Sequence, residues 1–143
     1  MIKVLFDTNV IIDAFTSRDY DYRNSQRLVL KAINKEIDGY ISSKQITDIY
    51  YILRKYLDDE QKKRTIIKDI TESFNVLPLL PSDISLGLKS NLPDYEDAIL
   101  EEAASVYSIP FIVTHNVKHF KNARAIIFAP EDLIKYIDSG SFK

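Results

Sequence analysis

Acidic residues stand at four places where the chain could build a reactive site. Asp7 directly follows a short apolar run, and Asp48 lies inside a helical stretch. Asp94 and Asp97 are three residues apart, so they share a face if a helix begins there. Crowded carboxylates repel one another, and a divalent cation relieves that repulsion. The pattern favours a site for Mg²⁺ or Mn²⁺, which prefer oxygen ligands.

A site of this kind implies a particular reaction. A bound ion helps a water molecule lose a proton and attack a phosphorus atom in line, and it stabilises charge on the phosphate and the leaving oxygen. No side chain has to become covalently attached. Metal-assisted hydrolysis of a phosphodiester is therefore the reaction that the acidic residues favour.

Each acid also has a structural interpretation. Asp7 has the position of a helix N-cap, and so has Asp94, with Asp97 supporting it three residues later. Asp48 could be an exposed charge on the flank of its helix. Aspartate is a poor mid-helix residue, however, and the residue one turn later, Ile52, is apolar. We therefore expect Asp48 to lie half-buried beside the apolar stripe.

The elements that must position these acids alternate between strand and helix, which predicts a parallel sheet covered on both faces. Ser42 and Gln45 have the spacing of a capping box. Pro78 cannot donate to a ladder, which predicts an edge position for the third strand. Strands are predicted at 3–6, 40–41, 76–79, 111–113 and 125–128, and turns at 17–24 and 38–39. Helices are predicted at 10–15, 27–35, 42–57, 82–88 and 93–107. Two more helices are predicted to begin at 58 and at 130, and a polar tail follows Asp138.

Polar side chains follow the first and fourth predicted strands. Asp7 and Asn9 come after the first, and Thr114 and Asn116 come after the fourth. Ligands of open parallel sheets bind at the carboxyl ends of the strands, near the switch in strand order. If these two strands are neighbours, their polar groups converge on one pocket. Asn9 alone is also compatible with local turn chemistry.

Composition limits the possible partners. The chain has 143 residues, no cysteine and a net charge of −2. We expect one domain spanning 1–143, a cytoplasmic location and no membrane span, and no thiolate zinc site or disulfide can form. Contacts with nucleic acid must then come from a local patch. Candidate cations are Lys44, Arg54, Lys55 and the basic run 62–64.

The two histidines, His115 and His119, are four residues apart in a predicted loop. One interpretation is a zinc pair, but no third nitrogen or sulfur ligand lies nearby. The favoured interpretation is that both face solvent, with His115 able to touch a phosphate.

Four segments in order resemble the PIN-domain family, and together they span nearly the whole chain. The resemblance implies an α/β/α sandwich with a parallel sheet of order 3-2-1-4-5. It also implies Mg²⁺- or Mn²⁺-dependent cleavage of RNA, and it suggests the toxin half of a toxin–antitoxin pair, commonly a homodimer silenced by a small antitoxin. The segments are VLFDTNVII at 4–12, ISS at 41–43 with Asp48, DYEDA at 94–98 and IVTHNVKHF at 112–120.

The same resemblance assigns the site residues. Asp7 matches the first acidic ligand, and Asp97 matches the acid ahead of the small-residue helix. Asp94 matches an additional acid seen in part of the family. Thr114 and Asn116 match the polar pair after the fourth strand.

Two departures from the family pattern affect the predicted site. Asp48 stands where the family usually has Glu, and Asn116 stands where it often has Asp. An Asn can ligate through its carbonyl oxygen but brings no charge. The four aspartates suffice for one metal ion, and a second would be held more weakly.

Two other functions remain open at the level of sequence. The departures at Asp48 and Asn116 are compatible with a non-catalytic binding module that keeps the fold and has lost full metal affinity. An aspartyl phosphotransferase would use Asp7 as its nucleophile. Phosphatases of that type place a second Asp two residues on, where this chain has Asn9.

Overall fold

The computed structural model describes residues 1–140, in which the strands form a parallel sheet of order β3-β2-β1-β4-β5. This confirms the predicted α/β class and the strand order. The edge position predicted for the third strand is also confirmed, with Pro78 directly after it. The strands are β1 (Lys3–Phe6), β2 (Asp38–Ser42), β3 (Asn75–Leu77), β4 (Phe111–Val113) and β5 (Ile126–Phe128).

Helices cover both faces of the sheet, and the side chains of β1 alternate between the two apolar clusters that result. Val4 and Phe6 pack into the larger cluster, whereas Leu5 packs into the second one with Leu100 and Ile112. The helices are α1 (Thr8–Thr16), α2 (Tyr22–Ile33), α3 (Ser43–Leu53), α4 (Glu60–Ser73), α5 (Pro81–Gly87), α6 (Tyr95–Val106) and α7 (Pro130–Ser139), with a 3₁₀ helix at Val117–Phe120.

Several predicted boundaries were wrong. Helix α2 begins at Tyr22, inside the predicted polar turn, and the polar residue Ser25 is buried on its inner face. Strand β2 already includes the predicted turn at 38–39, since pairing with β1 begins at Asp38. Helix α3 ends at Leu53, before the predicted end at residue 57. Helix α7 extends to Ser139, just into the predicted polar tail, and residues 141–143 of that tail lie outside the described residues.

Strand β1 is the point where the strand order reverses, since it pairs with β2 on one side and β4 on the other. Residues after β1 and β4 therefore meet at the same edge of the sheet. The Asp7 amide continues the ladder by donating to the Val113 carbonyl at 2.9 Å. Within residues 1–140, no helix combines the length and apolar character that crossing a bilayer requires.

Candidate metal centre

An acidic pocket of about 310 Å³ opens at the carboxyl ends of β1 and β4. Six residues singled out from the sequence line it: Asp7, Asn9, Asp48, Asp94, Asp97 and Asn116. The lining also includes residues that the sequence did not single out for the acidic site, namely Thr8, Arg18, Ile52, Glu96 and His119.

Asp7 is both a helix cap and a pocket residue. Its Oδ1 accepts the Thr8 amide at 2.7 Å, so it is the N-cap of α1. Its Oδ2 accepts the Thr114 hydroxyl at 2.8 Å, which joins the ends of β1 and β4. Burial raises the pKa of the Asp7 carboxyl, although the hydrogen bonds from Thr114 and Thr8 oppose that rise. The two hydrogen bonds fix the orientation of the carboxylate towards the pocket.

Asp94 and Asp97 come together at the start of α6. Asp94 is the N-cap of α6, and its Oδ1 accepts the Asp97 amide at 3.0 Å. Burial raises the pKa of Asp97 to about 7, and the negative charges of Asp7, Asp94 and Glu96 add to the effect. The carboxylates gathered at the start of α6 repel one another, and a bound cation would relieve that repulsion.

His119 is a pocket residue that the sequence reasoning missed. Its Nδ1 lies 3.4 Å from Oδ2 of Asp97, and one ligand atom each of Asp94, Asp97 and His119 lie within 4.8 Å of one another. The side chain is half-exposed, as expected for a loop histidine. The 3₁₀ helix after β4 directs it at α6, and no local sequence pattern signals that contact.

The histidine pair is not brought together, so the zinc interpretation is wrong for these two residues. Whereas His119 faces Asp97, His115 faces Asp13, with 2.9 Å between Nε2 and Oδ2. Its side chain is only 15% exposed, so the expected solvent exposure of His115 is also wrong. The Ser25 hydroxyl lies 3.1 Å from the same Nε2 atom.

Asp48 lies at the rim of the pocket. Its side chain is 40% exposed, in line with the half-buried position expected beside the apolar stripe. The Lys44 ammonium lies 2.6 Å from its carboxylate and 4.0 Å from that of Glu96. Lys44 therefore neutralises part of the rim. In the basic run 62–64, Lys63 and Arg64 pair with Glu60 on their own helix.

Asn9, Thr114 and Asn116 tie the two loops of the pocket together. The Asn9 side-chain amide lies 3.4 Å from Oδ2 of Asp7, and its carbonyl oxygen accepts the His115 amide at 3.3 Å. Thr114 is buried behind Asp7 and accepts the Asn116 amide at 2.9 Å. Asn116 is exposed and offers an uncharged oxygen.

The capping box predicted at the start of α3 is confirmed, and one of its residues also contacts the end of β1 beside the pocket. Besides capping, the Gln45 side-chain amide donates to the Phe6 carbonyl at 2.7 Å and lies 3.3 Å from the Thr8 hydroxyl. Gln45 thereby attaches α3 to the end of β1.

The fold and the pocket define an α/β protein with a carboxylate-rich centre at the switch point of a parallel sheet. The sequence model of the PIN domain matches residues 3–118, and the chain belongs to the PIN-domain family.

The chain is also similar to named proteins. The chain is 28% identical over 102 residues to ribonuclease VapC1 of Aquifex aeolicus, across 68% of this chain and 69% of that protein. Its fold is similar to a toxin–antitoxin complex from Klebsiella pneumoniae, with a TM-score of 0.65, 23% identity, and coverage of 89% and 97% of the two chains. It is also similar to VapBC2 of Rickettsia felis bound to a promoter DNA fragment, with a TM-score of 0.64, 18% identity, and coverage of 90% and 98%.

Proposed function

We propose that this chain is a divalent-metal-dependent endoribonuclease that hydrolyses RNA phosphodiester bonds. The observation that carries the proposal is the convergence of Asp7, Asp94 and Asp97 on one pocket, where the pKa of Asp97 is raised to about 7. A pocket with this excess of negative charge is suited to bind a cation. The sequence relationship to a ribonuclease supports RNA as the substrate.

The donor set fits Mg²⁺ or Mn²⁺. Asp7 and Asp97 would hold the ion. Asp94, His119 and Asp48 would be further ligands or would form hydrogen bonds with its bound waters. Carboxylate oxygens suit both ions, and the imidazole of His119 favours a transition metal such as Mn²⁺. A bound ion supplies an activated water and stabilises charge on the phosphate and the leaving oxygen.

The chain's own residues prepare the reaction by orientation. Thr114 and the Thr8 amide hold both oxygens of Asp7 in place. Asn9 and Asn116 line the wall after β1 and β4 and offer uncharged polar groups to the ribose or phosphate. Hydrolysis would break one P–O bond of the phosphodiester with a water molecule, and its products would be a phosphate monoester and a hydroxyl.

Cleavage by purified protein tests the enzymatic proposal. The wild-type protein should cleave RNA with Mn²⁺ and lose that activity in EDTA. Asp7→Asn should lower the rate at least about 100-fold, since the bound metal contributes several kcal/mol to catalysis. Asp69→Asn, a change at an exposed position of α4, is the matched control and should keep full activity.

Two results would contradict the proposal in different ways. Equal cleavage by the wild-type and Asp7→Asn proteins would mean that the pocket is not the active site. A lack of cleavage together with no Mg²⁺ or Mn²⁺ binding in calorimetry at millimolar concentration would identify a non-catalytic PIN-fold binding module instead.

We also propose that the protein acts as the toxin of a toxin–antitoxin pair, as a homodimer silenced by a small antitoxin protein. Support comes from similar structures described as toxin–antitoxin complexes. Expression alone should arrest bacterial growth, and Asp7→Asn should relieve the arrest. Light scattering should give twice the chain mass. Growth unaffected by wild-type protein, or an absence of co-purification with the product of a neighbouring small reading frame, would contradict the pairing.

A further inference from the structure

A buried ion pair lies beside the acidic pocket and is not needed to explain metal binding. Asp13, in α1, is 1% exposed, and its Oδ1 accepts Nε of Arg18 at 2.7 Å. Its Oδ2 lies 2.9 Å from Nε2 of His115. A buried carboxylate is costly unless a cation or hydrogen bonds compensate for it. The buried Asp13 carboxylate therefore holds the Nε edge of the Arg18 guanidinium in place.

The backbone at the end of α1 directs Arg18 back to that partner. Ser17 has a left-handed conformation with φ of 53°, and its amide donates to the Asp13 carbonyl at 2.8 Å. This turn ends α1 and brings the next residue, Arg18, over Asp13. His115, the other partner of Asp13, belongs to the loop that carries Thr114 and Asn116. The ion pair thus connects the end of α1 to the loop after β4.

Arg18 also lines the acidic pocket. The side chain is 34% exposed and lines the pocket together with the metal-site carboxylates. Across the described residues, the ion pair of Arg18 is the one with Asp13, and the Tyr56 hydroxyl is a further hydrogen-bond partner. Lys44, by contrast, is already engaged with Asp48 at the rim. Arg18 keeps further N–H donors after its contacts with Asp13 and Tyr56, because a guanidinium has five.

We propose that Arg18 binds a phosphate of the RNA strand adjacent to the metal centre, and that Asp13 is its positioning residue. This inference rests on the proposed ribonuclease function. A pocket lined by aspartates repels a polyanion, and the chain as a whole is negative. The guanidinium is planar, and the N–H groups that Asp13 and Tyr56 leave unused suit the recognition of phosphate oxygens.

The salt dependence of RNA binding tests this role. The probe is a short fluorescein-labelled single-stranded RNA, titrated with Ca²⁺ in place of Mn²⁺ at several salt concentrations. Loss of one phosphate contact should reduce the slope of log Kd against log salt by about 0.7. Arg18→Gln should show this reduction and bind about tenfold more weakly. Arg18→Lys should keep the slope, because the charge remains.

Two further variants separate phosphate binding from structural effects. Arg27→Gln removes a surface arginine that pairs with Asp138, and its slope should equal that of wild type. Arg18→Gln leaves Asp13 without its cation, so the double variant Asp13→Asn/Arg18→Gln removes both charges and should melt closer to wild type while keeping the reduced slope. Asp13→Asn alone should weaken RNA binding less than Arg18→Gln.

The outcomes distinguish this inference from the proposed function. If wild-type protein cleaves RNA but the slopes of Arg18→Gln and Arg27→Gln are equal, the role of Arg18 is overturned and the ribonuclease proposal stands. If wild-type protein neither cleaves nor binds RNA, both are overturned.

Discussion

Replacing Asp97 with Asn should stabilise the metal-free protein, even though it should damage the site. The Asp97 carboxyl has its pKa raised from 3.8 to about 7, first by burial and then by Asp7, Asp94 and Glu96. Its ionised form is therefore disfavoured in the folded state. The contribution of the neutral form to stability is fully present below pH about 4 and is lost as the pH rises through about 7. Asn keeps a neutral group at every pH.

The size of the effect follows from the pKa. The rise of the Asp97 pKa from 3.8 to about 7 corresponds to a change in the free energy of unfolding of about 4 kcal/mol as an upper limit. The pocket is open to solvent, and screening reduces this to about 1–2 kcal/mol. For a chain of this length that is a gain in Tm of about 2–8 °C above pH 7.5.

Thermal melting of both proteins in EDTA, from pH 4 to pH 8.5, measures the difference. Asp97→Asn should melt higher at pH 8, and its advantage should shrink steadily as the pH falls and vanish near pH 4. Mn²⁺ should raise the Tm of wild type and reduce the gap, because it binds the folded state. Asp69→Asn should stay within about 0.5 kcal/mol of wild type throughout. A lower Tm for Asp97→Asn at all pH values would mean instead that the Asp97 carboxylate stabilises the folded protein.

Two further predictions follow from particular contacts. His119→Ala should weaken Mn²⁺ binding about tenfold in calorimetry and Mg²⁺ binding much less, because imidazole suits transition metals better; equal losses for both ions would exclude His119 as a ligand. Gly39→Ala should destabilise the fold by about 1–3 kcal/mol in urea unfolding, because an added Cβ would lie 2.7 Å from the Phe74 ring. An unchanged urea midpoint would mean that Phe74 moves aside freely.

The strands were predictable because their signals are local, whereas their order was implied by the resemblance to the PIN-domain family. Buried runs such as β1 and β4 are short and apolar, and Pro78 indicated an edge. The start of α2 was not predictable in the same way, since its first turn is polar and only Ser25 faces inward. Helix propensity carries no information about which polar residue a neighbouring element will bury.

The candidate site likewise has residues that could be predicted from the sequence and contacts that could not. Asp7, Asp94 and Asp97 lie at helix starts, so their convergence could be predicted once the family resemblance placed the first and fourth strands side by side. The contacts of His119 with Asp97 and of Arg18 with Asp13 depend on a 3₁₀ helix and on a left-handed Ser17. Neither backbone feature has a sequence signature strong enough to direct a side chain.

Crystals grown with Mn²⁺ test most directly whether the pocket after β1 is a divalent-metal centre. An anomalous difference peak should lie at about 2.0–2.2 Å from carboxylate oxygens of Asp7 and Asp97. A second group of possible ligands exists at Asp13, Asp19 and His115. A peak there instead, or none in the acidic pocket at millimolar Mn²⁺, would contradict the account.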